Sequence, residues 1–210
     1  MKKKLFAIAL AVAFVFAAAG CGNSEEQPAA ASEPEQKICK KELSPEAAHA
    51  LDMAGISDSN STGMLQYQGD DQVKSVTFKL MEYRADKGKW SCINKYKLRA
   101  GESGDILVTF SVDYTMIHMA VTISGSGPAA QSEWGIKPLP NVTEDETITD
   151  EQIISSPLER DKDIALHMTY TEAADGGKSP DLAAYPDTSK YKDYKYIRAI
   201  VANFSSEPAD

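Results

Sequence analysis

From residue 73 onward the chain alternates apolar and polar side chains with a period of two, broken at short intervals by turn residues. Successive side chains point to opposite faces only in an extended strand, so this pattern restricts most of the chain to β-sheet. Val76, Phe78 and Leu80 alternate with Thr77 and Lys79. The loop Ala85-Asp86-Lys87-Gly88-Lys89 then turns a hairpin, and Trp90, Cys92 and Asn94 return on the next strand. Ile106, Val108 and Phe110 predict a third strand, and Ile117, Met119, Val121 and Ile123 a fourth, closed by Ser124-Gly125-Ser126-Gly127-Pro128. Residues 134–139 around Trp134 predict a fifth, and Ile164, Leu166, Met168 and Tyr170 a sixth. The last, residues 194–204, is apolar on both faces through Ile197, Ala199, Ile200, Val201 and Phe204, so it belongs in the middle of a sheet. The fold class that follows is mainly β: an antiparallel β-sandwich of about seven strands with one short N-terminal helix. That helix is predicted over residues 45–54, with Ser44 as N-cap, Pro45 at the first helical position and Gly55 as its stop. Ala47, Leu51 and Ala54 fall at helical spacing, which predicts packing on the domain.

The N-terminus carries an address. Lys2, Lys3 and Lys4 precede an apolar run over residues 5–17, and small residues then lead into Cys21. The ending Ala18-Ala19-Gly20-Cys21 resembles the lipobox of bacterial lipoproteins, with Ala18 where Leu is usual. The resemblance implies cleavage before Cys21 and a lipid built on its sulfur, and two or more acyl chains hold a protein stably where one does not. Residues 22–35 are rich in Ala, Ser, Glu, Pro and Gln and predict a flexible tether. The expected organisation is a signal peptide at 1–20, lipidated cysteine and tether at 21–37, a single domain at 38–205 and a tail at 206–210. Tyr83, Gly88-Lys89-Trp90 and the late Tyr-rich strand, together with lipobox and tether, resemble small lipoproteins of Gram-positive anaerobes and their relatives, which implies an extracytoplasmic β-rich domain and carries no activity across.

Charge narrows the partners. The chain has 22 basic and 31 acidic residues, and without the three leader lysines the balance is 19 against 31, or −12. Nucleic-acid binding needs clustered cations that release phosphate counterions, so nucleic acid is excluded as a partner. Lys37, Lys40 and Lys41 either touch anionic head groups or form a solvated face. With Cys21 assigned to lipid, Cys39 and Cys92 remain, and outside the cytoplasm they are expected to pair as a disulfide. Free thiols and a redox pair are the alternatives, the last wanting C-x-x-C spacing.

No catalytic, metal or cofactor motif is complete. Asp58-Ser59-Asn60-Ser61-Thr62-Gly63 begins like a calcium loop, but its twelfth place is Gly69 rather than Glu. The acidic run Thr143-Glu144-Asp145-Glu146, with Asp150 and Glu151, reads as a solvated loop or a cation site, and Thr149 with Gln152 resembles a capping box. His49, His118 and His167 lack a second ligand at zinc spacing, and His118 and His167 fall on the polar phase of their strands. The most suggestive feature is Tyr185, Tyr191, Tyr194 and Tyr196, interleaved with Lys190, Lys192 and Lys195. Tyr185, Tyr191 and Tyr194, joined by Trp134, form a candidate ligand-binding platform, since aromatic faces beside donors stack on sugars or peptides. The long connections 140–162 and 172–193 are the candidate binding loops.

The sequence therefore favours a monomeric, non-catalytic, membrane-anchored lipoprotein without cofactor. Its domain would act outside the cytoplasm as a binding or structural module of the cell envelope, with an envelope protein or glycan as ligand. A small-solute or glycan receptor built on residues 185–196 is the alternative, and an envelope hydrolase ranks last.

Overall fold

Two antiparallel sheets face each other, and the alternation explains which side of each is inward. A computed structural model of the chain describes residues 35–53, 62–112, 117–124, 130–136, 148–171 and 179–209. All of these lie in one compact unit, Glu33–Asp210. The leader, Cys21, most of the tether, residues 58–61 of the calcium-like loop and the acidic run 143–146 lie outside the described residues.

The described strands are β1 (Lys37–Lys40), β2 (Thr62–Gln68), β3 (Ser75–Arg84), β4 (Lys89–Arg99), β5 (Ser103–Val112), β6 (Ile117–Ile123), β7 (Ala130–Ile136), β8 (Ile148–Gln152), β9 (Ser155–Pro157), β10 (Asp163–Thr171) and β11 (Tyr196–Ser205). They form a six-stranded sheet in the order β7-β6-β5-β2-β1-β9 and a five-stranded sheet in the order β4-β3-β11-β10-β8. Each of the seven expected strands has a counterpart, the fifth as β7, which begins at Ala130, while residues 137–139 of that expected strand lie outside the described residues; β1, β2, β8 and β9 are additional. β11 is the middle strand of its sheet, as its two apolar faces require.

One core fills the space between the sheets. Ile38, Leu65, Tyr67, Ile106 and Val108 from the six-stranded sheet join Val76, Phe78, Leu80, Ile200 and Phe204 from the five-stranded sheet. The rings of Tyr67 and Phe204 meet at 4.9 Å across the gap and fix the two sheets in alignment. In register, Phe204 stands beside Val76, Ala202 beside Phe78 and Ile200 beside Leu80, so these rows face the core. Tyr83, Ile197, Ala199 and Val201 take the opposite, outer side of the same strands.

The hairpin between β3 and β4 closes as the sequence predicts. Gly88 sits at φ 59°, the left-handed conformation that glycine adopts without strain, and its N–H donates to Arg84 O at 2.9 Å. A second glycine is required by proximity: a Cβ at Gly104 would run into the backbone carbonyl of Ser124, whose own N–H is bonded to Asp105 O at 2.9 Å. Gly104→Ala must therefore push apart the end of the β5–β6 pair where β5 begins and β6 ends, and we expect a loss of about 1–3 kcal/mol, read as a lower urea midpoint.

The helix α1 (Pro45–Met53) begins on Ser44, whose Oγ accepts from Ala47 N at 3.2 Å; of the residues expected to pack, Ala47 is half-buried, and the side chains of Leu51 and Ala54 lie outside the described residues. Thr149 and Gln152 do not start a helix, because residues 148–152 pair with β10 as a strand. Residues 179–194 form two 3₁₀ turns, Leu182–Ala184 and Thr188–Lys190, capped by Asp181 and Asp187, the first of them where Ser179-Pro180-Asp181 followed by Pro186 predicts about one helical turn.

Direction completes the architecture. Lys37 enters opposite Gln68, and Ser205 ends opposite Ser75, at the end marked by the Tyr67–Phe204 contact. Arg84, Tyr196 and Thr171 stand at the other end of the five-stranded sheet.

Candidate functional site

Beyond Ile200 and Leu80, the core-facing side of the five-stranded sheet turns polar. Arg198 follows Ile200 on that side of β11, opposite Glu82 on β3 and Thr169 on β10. Arg198 Nε and Nη2 both donate to Glu82 Oε2, at 3.3 and 3.2 Å. The side chains are 4% and 12% exposed, so this is a desolvated ion pair. Burial works against the charge on Arg198 and lowers its pKa, while the Glu82 carboxylate opposes that shift.

The neighbouring rows continue the set. His167 stands opposite Ile200 and Gln152, and Thr171 ends β10 opposite Ile148. His167, Thr169, Thr171 and Arg198 are all buried. Thr169 Oγ1, Thr171 Oγ1 and Gln152 Nε2 are buried without a hydrogen-bond partner among the described residues. The Gln152 carboxamide fills the space left by Gly63 on β2, where a Cβ would collide with it. Burial alone pushes the His167 imidazole down to about 4, so it is neutral near pH 7. Among the described residues, no three His, Cys, Asp or Glu side chains assemble as a metal site.

His167 is thus buried although it falls on the polar phase of its strand. The register of β10 shifts between Ala165 and His167, and both sides of the strand are covered. A period-two pattern identifies only one buried face when both are buried. The side chain of His118 lies outside the described residues.

The tyrosine platform is also corrected. Residues 179–194 fold back over the outer side of the five-stranded sheet, and Tyr191 and Tyr194 are 0% and 7% exposed. Tyr191 meets Trp90 at 5.4 Å and Tyr83 at 6.0 Å, Tyr185 meets Trp90 at 5.1 Å, and Tyr194 meets Tyr170 at 5.6 Å. The Tyr191 hydroxyl donates to Asp181 O at 2.7 Å. Burial raises the pKa of Tyr185 and Tyr191 well above the ordinary tyrosine value. Aromatic faces already occupied by other rings serve as a second, outer core rather than a stacking surface. Tyr185 alone of the three is half-buried. Trp134 belongs to β7 on the other sheet, and its side chain lies outside the described residues.

The expected disulfide is not formed: Cys39 and Cys92 are both free. Cys39 follows the inward Ile38 and so takes the outer side of the six-stranded sheet. Cys92 pairs with Met81 on the outer side of the five-stranded sheet. Side chains projecting from opposite outer faces of a sandwich cannot reach disulfide geometry.

Glu82, Arg198, Thr169, Thr171 and Gln152 escaped the sequence reading. One signal was available: Arg198 interrupts the run Tyr196-Ile197-Arg198-Ala199-Ile200-Val201, already assigned to a strand buried on both sides. A cation in such a run requires a buried counter-charge. No protein-family model, curated protein or solved structure matches the chain.

Proposed function

We propose that the protein is an extracytoplasmic lipoprotein, held at the membrane by lipid on Cys21, whose sandwich is a non-catalytic binding module of the cell envelope. The observation that carries this reading is polarity along the strands. Lys37, where the N-terminal segment enters β1, is at one end, and the buried polar set lies toward the other, with Arg84, Tyr196 and Thr171. A domain tethered at Cys21 would present its polar end away from the bilayer. The side chains of that set suit binding, because a paired Arg198 and Glu82 with adjoining hydroxyls supply donors and acceptors without an activated nucleophile.

Metabolic labelling with a fatty-acid analogue tests the anchor. The parent should take up label and sediment with membranes, and Cys21→Ala should lose the label entirely. Undiminished label in Cys21→Ala would overturn the proposal.

A further inference from the structure

β4 leaves the margin of its sheet open. It ends the order β4-β3-β11-β10-β8, so β3 is the one strand bonded to it. It runs for 11 residues, against 7, 5 and 3 for β7, β8 and β9 at the other sheet margins. Natural sheets keep their margins short because unpaired backbone groups accept another strand. Every residue from Ser91 to Lys97 is exposed, Ile93 and Tyr96 at 46% and 42% among them.

Two bonds give the direction of the backbone. Ala100 N donates to Lys74 O at 3.1 Å, on the β3 side, whereas Lys95 N is met by Asn94 Oδ1 at 2.8 Å. Backbone groups of an extended strand alternate between its two margins, so Lys95, Lys97 and Arg99 aim N–H and C=O away from β3, where the sheet has no further strand.

The side chains select the partner. Lys95, Lys97 and Arg99 stand on the outer side of the sheet, in register with Lys79, Thr77 and Ser75, each about 7 Å from the next along the strand. β4 also carries Lys89 and has no Asp or Glu, in a chain with 22 basic and 31 acidic residues. Lys79 is neutralised by Asp163 at 2.7 and 2.9 Å, which leaves Lys95 opposite a cation whose counter-charge is already engaged. Among the described residues, only Lys97 of this row meets a carboxylate, that of Glu207 at 3.5 Å, and Glu207 is 81% exposed. A pair so exposed is weak and yields to another carboxylate. A second copy pairing the same margin two-fold would set the cation row against itself, which is unfavourable. A lipid head group would meet the cations and leave the backbone groups unused. An extended chain with an acid at every second position answers both, its intervening residues lying beside Tyr96 and Leu98 on the other side.

We infer that the β4 margin takes up an extended acidic segment of a partner protein as an added strand, with Asp or Glu at alternate positions against Lys95, Lys97 and Arg99. The margin is separate from the buried polar set, and loss of this contact would leave the Cys21 label untouched.

The test titrates the full-length protein, in a zwitterionic detergent, with the fluorescent peptide Gly-Glu-Val-Glu-Val-Glu-Val-Gly and follows amide hydrogen exchange over residues 94–100. Saturable binding with slowed exchange at Lys95, Lys97 and Arg99 supports the inference. Methylating the Glu amides blocks the bonds of an antiparallel added strand and methylating the Val amides those of a parallel one, so one of the two methylated peptides should bind at least tenfold more weakly. Equal binding by both reduces the contact to charge and overturns the inference. Lys95→Glu with Lys97→Glu should weaken the acidic peptide at least tenfold and admit the peptide with Lys in place of Glu, at the parent's Tm, because both side chains are exposed. Unchanged affinity in that variant overturns the inference, as does absence of saturable binding by the parent. Exchange that slows without peptide as protein concentration rises assigns the margin to a second copy and overturns it. So does a response to dihexanoyl phosphatidylglycerol with none to the peptide, which makes the row a lipid contact.

Discussion

Arg198→Met is expected to cost about 3–5 kcal/mol of folding stability, the largest loss for any single replacement considered for this domain. The cause is what the substitution leaves behind. Glu82 loses both of its described hydrogen bonds to Arg198 while its carboxylate stays largely out of water. Methionine matches much of the volume, so lost packing adds little. Glu82→Leu combined with Arg198→Met should therefore be more stable than Arg198→Met alone, although one more side chain has been changed. Urea denaturation of the parent, both single variants and the double variant gives the coupling as a double-mutant cycle. A double variant less stable than Arg198→Met would show that the pair is not held by mutual charge compensation.

The second large effect depends on pH. In the unfolded chain His167 takes up a proton near its ordinary value of 6.5, whereas burial holds the folded value at about 4. Below pH 6.5 the unfolded state thus binds the proton and the folded state does not. The stability associated with neutral His167 is complete above pH 6.5, declines as pH falls toward 4, and changes no further below that. The separation corresponds to about 3 kcal/mol. His167→Gln removes the group, so the stability difference between parent and variant should shift by about that amount between pH 7 and pH 4. Parallel pH profiles for the two proteins would contradict the assignment.

The two sheets were legible in the sequence because most strands bury one side only. Val76, Phe78 and Leu80 reveal β3 directly, and the uninterrupted apolar run of β11 predicts its middle position. β8 and β9 were not legible, since Ile148-Thr149-Asp150-Glu151-Gln152 and Ser155-Ser156-Pro157 have almost no apolar pattern. Their partners, β10 and β1, impose the extended form through backbone bonds that no side chain announces. β1 was hidden for a related reason: only Ile38 among Lys37-Ile38-Cys39-Lys40 is buried. The candidate site failed differently. Tyrosines beside lysines look like surface, and nothing local distinguishes an exposed Tyr191 from one covered by Trp90 and Tyr83. Thr169 and Arg198 look like the solvent phase of their strands until the outer side is known to be covered as well. Burial on both sides is a tertiary property, and alternation cannot encode it.

The position of β1 has a mechanical consequence. It lies between β2 and β9, paired to both, and it is the first described strand after the segment that leads from Cys21. Drag on the domain would be transmitted along that segment to Lys37 as a force parallel to the strand. Drawing β1 out along its axis shears two ladders at once, whereas a strand at the margin of a sheet can be peeled one bond at a time. The same displacement would uncover the pairing edges of β2 and β9 together, so overloading the attachment and creating a sticky, aggregation-prone surface would be a single event.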